Sequence, residues 1–281
     1  MVRLKIASLV ICFLYVQITC SPTQTNTVVS KAESNQSLNK QIEKVIQDFT
    51  NALTEEEKKI LPLYDNIQVV KRNLENIQKL LRTELQNAQG FQIDFIPQYE
   101  IGNQKNIPKL VHDSIERYQI AVKDLLIKSN YDLIGWESSA LDTMTHQRYE
   151  QELLSMWREV NPNFTVNTPY IFEWFSSQYM WQDGVLAYWA MYPQENLVGT
   201  QEASLWKLNL KANSYDVHFS NKVAEFRSYV AMAKMIRKMR AEKSKQPIHA
   251  VIVMGAWHQT DITMIGNILG IKMNVISVSI D

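Results

Sequence analysis

The chain of 281 residues has little cysteine, no excess of either charge and only one long apolar run. Its two cysteines, Cys12 and Cys20, both lie near the N-terminus, so the remaining sequence has no disulfide framework and no thiol nucleophile or ligand. Lys and Arg number 29, as do Asp and Glu, so there is no basic excess to favour nucleic acid or an anionic membrane as a partner. Any reaction in the rest of the chain is left to carboxylate and imidazole groups.

The apolar run, residues 6–16, follows Arg3 and Lys5 and gives way to polar residues before Cys20. It is shorter than the roughly 20 apolar residues of an ordinary membrane-spanning helix. A basic start, an apolar centre and a polar end are typical of a signal peptide, which we predict over residues 1–20. The alternative is a buried N-terminal helix. The protein is therefore expected to be exported, either secreted or periplasmic.

Two fates are open for Cys20. Cleavage after it leaves a mature chain without cysteine, whereas retention of Cys20 as the first mature residue would allow a lipid on its sulfur to tether the protein. No second stretch of comparable hydrophobicity follows in the sequence. We therefore expect no transmembrane span in the mature chain.

The remaining sequence is predicted to consist of a polar spacer and one α/β domain. Residues 21–38 are rich in Ser, Thr, Asn and Gln, a composition typical of disorder, and residues 39–281 form the domain. Within it, the apolar periodicity of residues 39–89 predicts a helical layer packed on the core, with a partner-binding hairpin as the alternative. Thr54, which precedes three glutamates, is predicted to begin a helix there.

From residue 90 onward, strand-like and helix-like patterns alternate. Strands are predicted over residues 91–96, 131–136, 249–254 and 273–280, with helices over residues 109–128 and 221–245. A strand, helix, strand unit favours parallel pairing, and strands rich in β-branched residues suit a sheet covered on both faces. The predicted fold class is α/β, with a mainly parallel sheet flanked by helices.

An aromatic-rich segment interrupts this alternation. Ten aromatic residues lie between positions 164 and 192, and residues 160–215 are predicted to form a helical insertion. Such density can line a pocket for a peptide or a small hydrophobic ligand. The alternative is a helical pair that buries its own core.

Polar side chains follow three of the predicted strands. They are Glu100, Glu137 and His258, and in open α/β sheets ligands bind beyond the carboxyl ends of the strands. Imidazole and carboxylate groups can bind a divalent metal or move a proton near neutral pH. These three residues are the predicted metal ligands, with a hydrogen-bonded structural role as the alternative for His258.

Residues 131–137 (YDLIGWE), 225–228 (EFRS) and 255–258 (GAWH) resemble the Tiki/TraB and ChaN/EreA-like superfamily. The resemblance covers residues 90–281 and implies an α/β fold with a site glutamate, arginine and histidine, which match Glu137, Arg227 and His258. Tiki-like members resemble metal-dependent peptidases, EreA-like members are esterases, and ChaN-like members bind haem. The family's early Gly-Glu-x-His is not matched, because residues 98–102 read QYEIG and contain Glu100 without the histidine.

The resemblance implies a peptidase-like or esterase-like hydrolase with a peptide or small-molecule ligand. Glu137 and His258 would activate water with a divalent metal such as Mn, Co or Zn, and Arg227 would stabilise developing negative charge, with a surface ion pair as its alternative role. The rival hypothesis is a non-catalytic exported protein that binds haem or a peptide. A third is an interaction module centred on residues 39–89.

Overall fold

The computed structural model describes residues 31–88, 90–99, 109–137, 183–192, 197–242 and 248–279. The chain divides into a short unit, Met1–Ser34, of which only residues 31–34 are described, and a second unit, Asn35–Asp281, which contains the sheet. The predicted signal peptide, Cys20 and Glu100 therefore lie outside the described residues.

Two long helices open the described chain. Helix α1 spans Lys31–Lys59 and helix α2 spans Tyr64–Leu85. The turn between them is a 3-10 helix over Leu61–Leu63, which contains Pro62. Because proline has no backbone N–H and fixes its own φ, it is accepted at the start of a short helix but would break the middle of a long one.

Helix α1 differs from the sequence prediction in two respects. Residues 31–38, predicted to belong to the spacer, are helical, and Leu38 is buried as the first member of an apolar stripe that continues with Ile42. Thr54 lies inside α1 rather than at a helix start, and its hydroxyl donates to the carbonyl of Thr50 one turn earlier. Burial of the stripe overrides the polar composition and the local capping signal.

Five strands form one sheet in the described part of the chain. They are β1 Gln92–Gln98, β2 Leu133–Trp136, β3 Leu197–Gly199, β4 Ala250–Gly255 and β5 Lys272–Val275. Their order is β3-β2-β4-β1-β5, and every neighbouring pair is parallel. The predicted α/β class is confirmed, although β4 lies between β1 and β2 and separates the two strands of the predicted unit.

Helices cover both faces of the sheet. The remaining ones are α3 Lys109–Ser129, α4 Gly184–Met191, α5 Ala203–Ala212, α6 Val217–Ala241 and α7 Gln259–Leu269. Successive side chains of β4 point to opposite faces: Ile252 joins the core formed with α1, α2, α5, α6 and α7, while Val251 and Val253 join the core formed with α3 and α4. Burial on both faces explains why this strand is apolar without alternation.

The predicted helical insertion over residues 160–215 includes part of the main sheet, because β3 lies within it and pairs with β2. In α4, Tyr188 and Trp189 pack into the same core as Trp136. Asp183 caps α4 by accepting from the backbone N–H of two α4 residues, and it also accepts from the indole N–H of Trp136 at 2.7 Å. Within this segment, α4 and its cap therefore belong to the core around Trp136.

No helix in the described part of the chain combines the length and the apolar character needed to cross a bilayer.

Candidate functional site

Polar residues follow the carboxyl ends of three neighbouring strands. Glu137 follows β2, Gln201 lies two residues beyond β3, and His258 closes the 3-10 turn that follows β4. β2 lies between the other two strands, and its backbone continues the pairing, since Glu137 N–H donates to the carbonyl of Val253. The strand order therefore places Glu137 at the centre of this edge.

Helix α6 brings an arginine to the same edge. The Nη2 atom of Arg227 lies 2.6 Å from Oε1 of Glu137, and its Nε atom donates to Oε1 of Gln201 at 3.0 Å. Only 6% of the Arg227 side chain and 16% of the Glu137 side chain are exposed. The guanidinium is therefore held at two points, by a carboxylate and by an amide oxygen.

Gly255 provides the second anchor of the carboxylate. Its backbone N–H donates to Oε2 of Glu137 at 2.5 Å. A Cβ atom at this position would lie only 3.1 Å from the same oxygen. Glycine at the end of β4 therefore lets the backbone come close enough to bind Glu137 directly.

His258 completes the cluster. Its Nε2 atom lies 3.4 Å from Oε1 of Glu137, and its Nδ1 atom lies 2.8 Å from the hydroxyl of Ser228 on α6. The same hydroxyl lies 3.4 Å from Oδ2 of Asp261, in the first turn of α7. The imidazole is thus buried between two hydrogen-bonding groups.

These contacts decide the protonation of Glu137. Burial by itself would raise the pKa of this carboxyl group, but it is outweighed by the hydrogen bond and charge of His258, the charge of Arg227 and the N–H of Gly255, which together lower the pKa to about 2. Glu137 is therefore ionised at neutral pH. The pKa of Asp261 shifts the other way, since burial raises it against the opposing effects of His258 and Ser228.

The structure brings Glu137, Arg227 and His258 together, while Glu100 lies outside the described residues. Sequence reasoning missed Gln201 and Ser228 as members of the cluster. Gln201 follows a strand of three residues that no periodicity could reveal. Ser228 adjoins Arg227 in the sequence, but only its contact with His258 marks it as part of the site.

The described residues do not by themselves fit a divalent metal. Among them, no group of three or more His, Cys, Asp or Glu side chains is arranged to hold an ion. Glu137 and His258 are the two predicted ligands in that part of the chain, and the guanidinium of Arg227 lies against the Glu137 carboxylate that a cation would need.

The fold and the cluster define an α/β protein with a Glu, Arg and His site at the carboxyl edge of a parallel sheet. Comparison with family models, with curated proteins and with solved structures finds no significant match to this chain. The resemblance to the Tiki/TraB and ChaN/EreA-like superfamily therefore stays a prediction.

Proposed function

We propose that this protein is an exported hydrolase, peptidase-like or esterase-like, that uses the cluster of Glu137, Arg227 and His258. The supporting observation is that an arginine and a histidine from distant parts of the sequence approach the same carboxylate oxygen, at 2.6 Å and 3.4 Å. Buried ionisable groups in this arrangement are typical of functional sites. Export rests on residues 1–20, and its measurable consequence is a mature N-terminus at or just after Cys20.

Glu137 is the proposed general base. A carboxylate with a pKa of about 2 is a weak base, but this value is a balance between burial, which raises it, and the surrounding donors, which lower it. A substrate oxygen that binds Arg227 competes with Glu137 for the guanidinium and removes one of the lowering contributions. Substrate binding then raises the pKa of Glu137 toward the value that burial favours, which strengthens the base.

The hydrolytic step follows from these roles. Glu137 takes a proton from water as the water oxygen forms a bond to the substrate carbonyl carbon, and the carbonyl oxygen becomes an oxyanion paired with Arg227. The bond to the leaving group then breaks, and the proton on Glu137 passes to that group. The Nε2–H group of His258 donates a hydrogen bond to Glu137, without giving up its proton, and holds the carboxylate in place, within the water-activating pair that the sequence predicted.

Glu137→Gln is expected to reduce hydrolysis of a responsive substrate by about 10²-fold, because an amide cannot accept the proton. The measurement is turnover of fluorogenic peptides and aryl esters by the purified protein, with and without added Mn²⁺, Co²⁺ or Zn²⁺. Glu84→Gln is the matched control, since Glu84 is a largely buried carboxylate that lies 2.8 Å from the guanidinium of Arg240. This pair is not part of the cluster at the sheet edge. Equal turnover by Glu137→Gln and the unchanged protein would contradict the proposal, and a strict need for added metal would restore the metal-dependent version.

One observation favours the rival, a non-catalytic binding protein. Both oxygens of Glu137 and both ring nitrogens of His258 already lie against groups of the protein itself. Beside them, Trp257 is 88% exposed and offers an apolar surface for a ligand. The rival predicts that added haem shows a shifted Soret band and that Trp257→Ala weakens the binding, whereas an unchanged band excludes the haem form.

A further inference from the structure

The two ring nitrogens of His258 face groups of different kinds. On one side is the carboxylate of Glu137, which can only accept hydrogen bonds, and on the other is the hydroxyl of Ser228, which can donate or accept. The neutral ring therefore carries its proton on Nε2, toward Glu137. Nδ1 is then an acceptor, and Ser228 donates to it across 2.8 Å.

Beyond Ser228, the neighbouring groups are again acceptors. The carbonyl oxygen of Ala224 lies 3.2 Å from the Ser228 hydroxyl, and Oδ2 of Asp261 lies 3.4 Å from it. Without the hydroxyl, the Nδ1 side of the ring would face acceptors, as the Nε2 side does. The Ser228 hydroxyl is thus the hydrogen-bond donor that faces Nδ1, where the neighbouring groups are acceptors.

Ser228 is buried too deeply to act as a nucleophile. Its exposed fraction is 0%, and its partners are His258, the α6 backbone and Asp261. A substrate could not reach its oxygen. The contribution of Ser228 must therefore pass through the imidazole that it touches.

We propose that Ser228 is a positioning residue for His258, whose hydroxyl holds the ring in the single tautomer with the proton on Nε2, directed at Glu137. This inference rests on the proposed hydrolase site, in which that N–H holds the general base in place. The charged groups around the ring are Glu137 from the end of β2, Arg227 from α6 and Asp261 from α7, and the charge of Asp261 in turn raises the pKa of Glu225 on α6.

Nitrogen-15 NMR of the histidine-labelled full chain tests the proposal without a substrate. The signals of His258 are assigned as those that are missing from the spectrum of His258→Gln. All spectra are compared at a pH high enough that the positions of these signals no longer change with pH. The unchanged protein is expected to show an unprotonated Nδ1 and a protonated Nε2. Ser228→Ala is expected to lose this pattern, with the two nitrogen signals moving toward each other as the proton is shared, and Ser228→Thr is expected to restore it.

Ser220→Ala is the matched control, because Ser220 is another buried serine on α6, and it should leave the His258 signals unchanged. The proposal is overturned if Ser228→Ala keeps the pattern of the unchanged protein, or if the unchanged protein carries its proton on Nδ1. The hydrolase and the positioning role fail separately. If the spectra are as expected but no substrate is hydrolysed, only the hydrolase proposal is contradicted. If Glu137→Gln loses turnover but the Ser228→Ala spectrum is unaltered, only the positioning role is contradicted.

Discussion

Arg227→Met is expected to lower the free energy of unfolding by about 3–5 kcal/mol. Methionine can fill much of the space of the arginine stem, but it leaves the Glu137 carboxylate, only 16% exposed, without the cation that lies 2.6 Å from it. Removing one partner of a buried ion pair costs far more than the pair itself contributes, because the remaining charge is not solvated. Urea denaturation at neutral pH measures the loss.

Two comparisons make the origin of this loss testable. Arg82→Met breaks the pair with Glu43, but these two side chains are 42% and 53% exposed, so its loss should cost only about 1 kcal/mol. Arg227→Met in a Glu137→Gln background should also cost less than in the unchanged protein, since no carboxylate remains to be left unpaired. Equal costs in both backgrounds would show that the arginine stabilises the protein through packing and not through Glu137.

The sheet shows which patterns carry structural information in this sequence. β1 is predicted because residues 91–96 alternate like a strand, and β2 because residues 131–136 form a short stretch after a helical one. β4 has the composition of a strand covered on both faces. The strand order could not be predicted, because it depends on which helix crosses which face. β3 has three residues, Leu197–Gly199, and nothing in so short a run distinguishes it from the end of a helical insertion.

The candidate site divides in the same way. Glu137 and His258 could be predicted because each follows a strand, and the carboxyl-end rule for parallel sheets depends on chain direction alone. Arg227 was found only through the resemblance, since a helical arginine has no local signature of its role. The contacts of Gln201, Ser228 and the Gly255 N–H arise where separate elements meet, so they are properties of tertiary structure and not of any one segment.

The ionised carboxylate of Glu137 should contribute about 3 kcal/mol to the free energy of unfolding at neutral pH, and this contribution should be lost in acid. The folded-state pKa is about 2 against an ordinary value of 4.5, and each unit of difference corresponds to about 1.4 kcal/mol. Because the folded value is the lower one, the contribution is present above about pH 5 and disappears as the pH falls toward 2. Urea denaturation between pH 7 and pH 3 measures the change.

Glu137→Gln isolates this contribution, since glutamine has no proton to bind in that range. Asp261 and Glu225 act in the opposite direction, because burial raises the pKa of both carboxyl groups and their protonation in acid favours the folded state. Both remain in the variant, so the difference between the two stability curves removes their effect. That difference should shrink steadily from pH 5 downward, and a constant difference over the whole range would mean that Glu137 is not held ionised by Arg227 and His258.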